Sequence, residues 1–318
     1  MKFDDYFWIG PLGQLMPMSV PEGNVDRTPV RAGSSSTSLN GRTTTNRRGT
    51  RNAWSLEQAY LSADDVGFLE AIYEGLIEGQ PRLIDPLLKN RLKPSVAAPR
   101  VTTTFNGAAD AWAVSAGGGL VVDSRSASFP SAALAGLPKV TYTQDFRPIS
   151  YSLGRCVCWN VGTGASPTMY PNGALLSTGK ARASRVDPVR PGETVTYWVL
   201  ACRATSASGT VTLTLDKVAA DGTITAGTAT ASITGTAWTQ YAITYTVPTD
   251  GSVAGVVPRW TGSSSSLQVV IGLSQMEEGS VPTLWQPGYG APEIDITDFK
   301  SSSPLYPLAN VSLSIQEL

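Results

Sequence analysis

The sequence predicts a mainly β protein in which an α+β part with one helix carries an inserted β-sandwich of jelly-roll type. Three observations lead there. Charged residues make up only 15% of the chain while Thr, Ser and Gly recur throughout, a composition suited to pleated surfaces joined by tight turns. Helical periodicity is confined to one stretch, 62–77. Between about 100 and 287, short alternating segments follow one another, bounded by Gly, Ser or Asp. The 318 residues leave room for about two domains of ordinary size.

Taken in order, residues 1–20 set Tyr6, Phe7, Trp8, Ile9, Leu12 and Leu15 around two glycines and Pro11, which reads as an edge strand and a turn. Segment 33–49 is polar and turn-rich, with a hairpin turn at Asn40-Gly41. Arg42, Arg47, Arg48 and Arg51 make it locally basic, as a solvated loop or an arm that reaches a neighbouring subunit. A strand follows with Trp54, Leu56 and Tyr60 on one face. Ser62 then caps a helix, with Asp65 placed to reach back to its amide. Val66, Leu69, Ile72, Tyr73 and Leu76 form the buried stripe, and Gly75 and Gly79 turn the chain out. Residues 81–86 are a short extended piece that stops at Pro86. Read from its residues alone, this is an ordinary α+β framework.

A Pro/Ala segment at 93–99 marks a boundary. Beyond it, Val211, Leu213 and Leu215 alternate with threonines. The series Tyr241, Ile243, Tyr245, Val247 and the series Leu267, Val269, Ile271, Leu273 repeat the pattern. Segment 194–202 is apolar on both faces, as a central sandwich strand is, and Asp221-Gly222 supplies a hairpin turn. Such strands predict a jelly-roll sandwich. Segments 292–296 and 311–317 alternate again and need a sheet to pack on. They are assigned to the first domain, which gives 1–98, an inserted 99–288, and 289–318.

Composition removes several function classes. Lys plus Arg is 24 against 25 for Asp plus Glu, so there is no cationic excess for a general polyanion-binding surface. The chain has no histidine, which excludes Ser-His-Asp and Cys-His catalysis and His-based zinc sites. Cys156, Cys158 and Cys202 are an odd set without a disulfide framework, expected to be reduced and to serve as small buried apolar groups. Asp4 and Asp5 stand where a signal peptide needs its apolar core, and no apolar run is long enough to cross a bilayer. The expectation is a soluble chain assembled in a host cytoplasm and released by lysis.

Two resemblances add to this reading. Arg48, Trp54, the helix at 62–77, Gly79, Pro81, Ile84, Asp85, Pro86 and Asn90 resemble the belt domain of distal tail (minor tail) proteins of long-tailed phages. That resemblance implies an α+β belt, a tail-tube-like split barrel with one helix, and a structural role in a ring without an active site. Asn106 and Trp112, the runs 190–197 and 237–241, and the close QMEEGSVPTLWQPG at 275–288 resemble carbohydrate-binding-module jelly rolls, which also serve as bare spacers.

The residues available for chemistry weigh against catalysis. Of the carboxylates Glu193, Asp216, Asp221, Glu277 and Glu278, Glu193 and Asp221 read as turn residues and Glu277-Glu278 as part of a terminal loop. Gly117-Gly118-Gly119 lacks the Lys and helix of a phosphate loop. No enzyme and no cofactor are expected. A structural calcium ion is left open, with Asp123, Asp145, Asp187 and Asp216 as oxygen donors but no dedicated loop. Sugar stacking needs exposed aromatics. Trp112 stays among the aromatics available for it, whereas Trp198, Trp238 and Trp285 read as structural. Trp159, Tyr170 and Trp260, beside Gly- and Ser-rich loops, are the glycan-binding candidates, with Arg185 and Arg259. The expected protein is a phage tail-tip component in the virion, a hexameric ring of its own copies between tail tube protein and baseplate or tail-fibre proteins, with host-surface polysaccharide as a further partner. The alternative is a stand-alone glycan-binding module or the accessory of a cell-wall hydrolase.

Overall fold

The computed structural model describes residues 6–18, 25–99, 112–114, 119–123, 129–130, 133, 140–144, 147–151, 156–162, 166–171, 179–204, 209–263 and 267–318. They fall into two units, Met1–Asp85 with Pro292–Leu318, and Pro86–Ala291, both built mainly of strands.

The first unit opens with β1 (Trp8–Gly10) and β2 (Met16–Pro17), then β3 (Asp26–Thr37), β4 (Thr43–Leu61), helix α1 (Ala63–Tyr73) and β5 (Arg82–Ile84). The helix begins as its residues dictate. The Asp65 amide donates to the Ser62 hydroxyl at 3.2 Å, and the Ser62 amide donates back to the Asp65 carboxylate at 3.3 Å. It ends at Tyr73 rather than at 77, because Gly75 turns to φ +71° and the Gly75 and Leu76 amides close onto Ile72 and Ala71. The expected stripe is therefore shorter: Leu69 and Ile72 are buried, Val66 is half-buried, and Tyr73 and Leu76 face outwards.

The second unit contains α2 (Pro94–Ala97), β6 (Ala113–Val114), β7 (Leu120–Asp123), β8 (Val140–Gln144), β9 (Arg147–Tyr151), β10 (Val157–Asn160), β11 (Thr168–Tyr170), β12 (Asp187–Pro188) and β13 (Thr194–Arg203). It continues with β14 (Val211–Val218), β15 (Ile224–Thr225), β16 (Thr230–Ile233), β17 (Thr239–Thr246), β18 (Gly255–Gly262) and β19 (Gln268–Glu278). One sheet runs β17-β13-β19-β10-β7. The other runs β15-β14-β18-β11-β6, with β12 on β18 and β16 on β14. Val195, Tyr197, Val269 and Ile271 from the first sheet meet Leu213, Leu215, Val256 and Trp260 from the second in one core. Strands β8 and β9 form a separate hairpin.

The division falls at Asp85/Pro86 and Ala291/Pro292, not at 98/99 and 288/289. Asn90 explains the first shift. Fully buried, it donates to the Ser274 and Gln286 carbonyls at 3.1 and 2.8 Å, and its carbonyl accepts from the Leu92 and Met276 amides, both at 3.2 Å. Val96 and Ala97 join the sandwich core behind it. Asn90 thus belongs with the sandwich, although the resemblance grouped it with the opening motif.

The acids near the sandwich's end also sit differently from expectation. Strand β19 runs through Glu278 because β13 pairs with it as far as Val195, so Glu277 and Glu278 are strand residues and not loop residues. Glu277 is buried and accepts from the Trp198 indole and the Thr283 amide, each at 2.8 Å. Glu193 lies beneath the turn in a buried charge cluster. Arg190 donates to it from Nη2 at 2.7 Å and from Nε at 3.1 Å, Arg91 pairs with it as well, and both arginines also reach Glu278. Burial alone pushes the Glu193 carboxyl up, but Arg91 and Arg190 outweigh it and hold it below the ordinary range.

On the outer face of the β13-containing sheet lie Cys156, Cys158 and Cys202, all buried, none in a disulfide, and covered by Phe129 and Trp238. Cys158 and Cys202 both stand opposite Val270, two strands apart, which is about 10 Å and beyond disulfide reach. Burial pushes their thiols up to about 12 and about 11.

Strands β20 (Ile294–Leu305) and β21 (Leu308–Glu317) return to the first unit and complete a sheet in the order β20-β21-β4-β3. Trp54, Leu56, Leu313 and Ile315 pack there with Ile9, Leu69 and Ile72. The Trp54 indole donates to Asp85 at 3.0 Å, and Arg27 lies 3.6 Å from the same carboxylate, which explains the acid of the Ile-Asp-Pro run. Tyr60 does not join this face. An extra residue in β4 between its pairings with Val311 and Ala309 makes a bulge, and Tyr60 sits at φ +57°. That swings Tyr60 out, 57% exposed, and Leu61 in.

Replacing Glu193 by Ala removes the carboxylate that both buried guanidiniums share and is expected to cost about 3–5 kcal/mol in chemical denaturation. Because the folded carboxyl is held low, its contribution is complete above the ordinary value of 4.5 and drains away as pH falls below it. Denaturation midpoints of the wild type measured between pH 7 and pH 3 should show that loss, and Glu193→Ala should flatten it.

Candidate functional site

The alternation of three neighbouring strands decides which side chains reach a surface. In β14, Val211, Leu213 and Leu215 point into the core, so Thr212, Thr214 and Asp216 lie on the opposite face. Register carries that division to β18: Leu213 stands opposite Trp260 and Thr214 opposite Arg259. It carries on to β11, where Met169 pairs with Trp260 and the next residue, Tyr170, turns outwards. One face thus gathers Tyr170, Asp216 and Arg259.

Asp216 is the centre of that group. Arg259 Nε lies 2.9 Å from its Oδ2, the Tyr170 hydroxyl is 3.4 Å from the same oxygen, and the Gly227 amide donates to Oδ1 at 3.0 Å. Gly227 is required, since a Cβ there would stand 1.9 Å from the Leu215 carbonyl oxygen. Burial pushes the Asp216 carboxyl up, an effect that Gly227, Arg259 and Tyr170 only partly offset. Burial and then Asp216 push the Tyr170 phenol up to about 12. The arginine keeps 24% of its side-chain surface exposed, so part of the side chain reaches solvent.

The other predicted site residues are placed differently. Trp159 and Trp260 are both 0% exposed. Trp159 pairs with Val269 and Val121 on the inner face of its sheet, and Trp260 fills the middle of the opposite one. Neither offers a ring face to a sugar, because a loop beside a strand does not decide which way the strand's side chains point. Arg185 is half-buried on the 3-10 turn Ala183–Arg185, off the sheet. Trp198, Trp238 and Trp285 serve structure: their indoles donate to Glu277, to the Ala133 carbonyl and to the Ala97 and Ser274 carbonyls. Trp112 is buried in the sandwich core.

The sequence offers Asp216 as a carboxylate or a calcium ligand; its pairing with Arg259 follows from the Thr212-Thr214-Asp216 alternation once the neighbouring strand is known. Asp145 and the side chain of Asp123 lie outside the described residues, as do 163–165 and 172–178 flanking Tyr170. Among the described residues, no three His, Cys, Asp or Glu side chains come together to hold a metal ion. Tyr170 and Asp216 are themselves buried, at 7% and 1% exposure, so within the cluster it is Arg259 that reaches solvent. The cluster presents one carboxylate, whereas glycoside hydrolysis employs two.

No protein-family model matches the chain, and no curated protein sequence matches it. Among solved structures, the CBM22-1–GH10 modules of an endo-1,4-β-D-xylanase from Clostridium thermocellum, complexed with xylohexaose, are similar over 57% of this chain and 28% of that one, at 12% identity and a TM-score of 0.35. The CBM22-1 xylan-binding domain from Paenibacillus barcinonensis is similar over 55% of this chain and 90% of its own, at 9% identity and a TM-score of 0.31. The enzymatically active domain of bacteriophage CBA120 tailspike protein 4 is similar over 59% and 22%, at 14% identity and a TM-score of 0.34. None of these likenesses assigns a role to a residue of this chain.

Trp159→Ala and Trp260→Ala are expected to destabilise the sandwich by about 3–5 kcal/mol each in chemical denaturation. Tyr170→Phe removes one long hydrogen bond and should cost about 1 kcal/mol or less, which makes it the cleaner probe of the outer face.

Proposed function

We propose that this chain is a non-catalytic structural component of a long-tailed phage tail tip. In this reading the unit built from both chain ends closes with its copies into a ring, hexameric by the resemblance of segment 47–90, between tail tube and baseplate. The observation that supports it best is the hairpin of β3 and β4. Strand β21 pairs with β4 only from Ala53 to Leu61, so residues 43–52 have β3 as their one strand partner among the described residues. At about 3.3 Å per residue, that is an arm roughly 30 Å long. Its described side chains at 27–30 and 35–44 are exposed. A two-stranded ribbon of this kind is marginal in water and gains by lying against another subunit. Ring closure needs two different patches on each copy, and an arm at one end of a sheet provides one of them.

A second reading concerns the sandwich, and the Tyr170–Asp216–Arg259 face favours it. Hydroxyl-rich host-surface polysaccharide suits the partly exposed Arg259, which the buried Asp216 and Tyr170 hold in place.

Sedimentation velocity and negative-stain imaging of the purified chain should show closed rings, and replacing residues 31–48 by a short Gly-Ser turn should leave monomers. A monodisperse monomer at high concentration would sink the ring. Titration with cell-wall polysaccharide, followed by tryptophan fluorescence, should give binding that weakens in Tyr170→Phe and Arg259→Gln. Unchanged fluorescence with every glycan tried would leave the sandwich a spacer.

A further inference from the structure

The arm and the helix of the first unit carry opposite charge. Residues 26–55 contain Arg27, Arg31, Arg42, Arg47, Arg48 and Arg51 against Asp26 alone, six minus one, a net charge of +5. Of these, Arg27 pairs with Asp85 at the base of the arm, while Arg42 at its tip and Arg51 are exposed. Residues 62–81, which hold α1 and the turn after it, contain Asp64, Asp65, Glu70, Glu74 and Glu78 and no Lys or Arg, a net charge of −5. Asp64, Glu70, Glu74 and Glu78 are exposed.

The position of these acids is informative. Asp64 and Asp65 suit the positive end of the helix dipole, but Glu70 and the C-cap Glu74 stand at its negative end, where no basic residue is present. An isolated helix is destabilised by that arrangement, and a cation brought from outside relieves it. Beside these acids, Tyr73 and Leu76 are exposed apolar groups, and at the arm's tip Leu39 is fully exposed. Each of the two surfaces therefore couples one sign of charge to an uncovered apolar side chain.

The two surfaces cannot meet within one copy. Strand β4 starts at the arm's tip and runs ten residues, roughly 30 Å, from Thr43 to Asn52 before it reaches Trp54 and Leu56, on which α1 packs, so the tip with Arg42 and Leu39 is held away from the helix. We propose that the cationic arm of one copy docks on the acidic face of α1 in the next, a head-to-tail contact that repeats around the assembly. The partner is a second copy of this chain, chosen by charge complementarity between its two ends. This rests on the ring reading above and specifies its interface.

The test uses the full chain and two charge-reversed variants: Arg42→Glu, Arg47→Glu, Arg48→Glu and Arg51→Glu together, which take segment 26–55 from +5 to −3, and Glu70→Lys with Glu74→Lys and Glu78→Lys, which take segment 62–81 from −5 to +1. Sedimentation of the wild type should show association that weakens at least about tenfold between 50 and 500 mM salt, as screening shortens the reach of these charges. Each variant alone should sediment as a monomer where the wild type associates, and an equal mixture of the two should associate again. Recovery in the mixture also shows that both variants are folded. A helix variant that associates as the wild type does, or a mixture that stays dissociated while the wild type assembles, overturns this pairing and leaves the ring standing. A wild type that is monomeric under every condition overturns both.

Discussion

The backbone of β4 between Ala53 and Leu61 needs hydrogen-bonding partners on its second edge, and the last ten residues of the chain provide them. Unpaired strand edges beside a buried face are costly and adhesive, so this pairing is the constraint from which the rest follows. It draws the C-terminus back to the opening hundred residues and makes everything between Pro86 and Ala291 an insertion. It also defines where the arm begins. Glu317, almost the last residue, accepts from the Asn52 amide at 2.8 Å and from its side chain at 3.0 Å, just where β21 stops. Past that point β4 has β3 as its one neighbouring strand.

The sandwich handles polar groups in two contrasting ways. Inside, Arg91, Arg190, Glu193 and Glu278 compensate one another, and Asn90 satisfies both its donors and its acceptor. Such arrangements fix how segments join, since removing one member strands the others. On the outer face, Asp216 is satisfied with the guanidinium still partly wet.

How much of this was legible in the residues depends on what each signal measures. A capping box is local chemistry, and Ser62 with Asp65 behaves as its spacing requires. Alternation such as Val211, Leu213 and Leu215 reports burial directly. A bulge, by contrast, is set by the partner strand, so nothing near Tyr60 announced that one extra residue would turn it outwards. Trp159 lies in a strand buried along most of its length, where period-two reasoning has no polar face to orient it, and nearness to a Gly-rich loop was a poor substitute. Glu277 looked like a loop residue because its polarity is compensated by Trp198 and Thr283, groups 79 and 6 residues away. The short 86–98 segment has no period at all; its place follows from the hydrogen bonds of Asn90.

Both crossings between the units are made at proline, Pro86 and Pro292. Lacking an amide hydrogen and with φ fixed, neither residue can carry a ladder onwards. Beside them, the Leu83 amide donates to the Pro292 carbonyl at 3.2 Å and Arg82 bridges to Glu293, so the outgoing and incoming chains leave the first unit side by side. A lineage carrying this chain can therefore exchange, lose or acquire the interposed module in one recombination event while the scaffold that receives it stays intact.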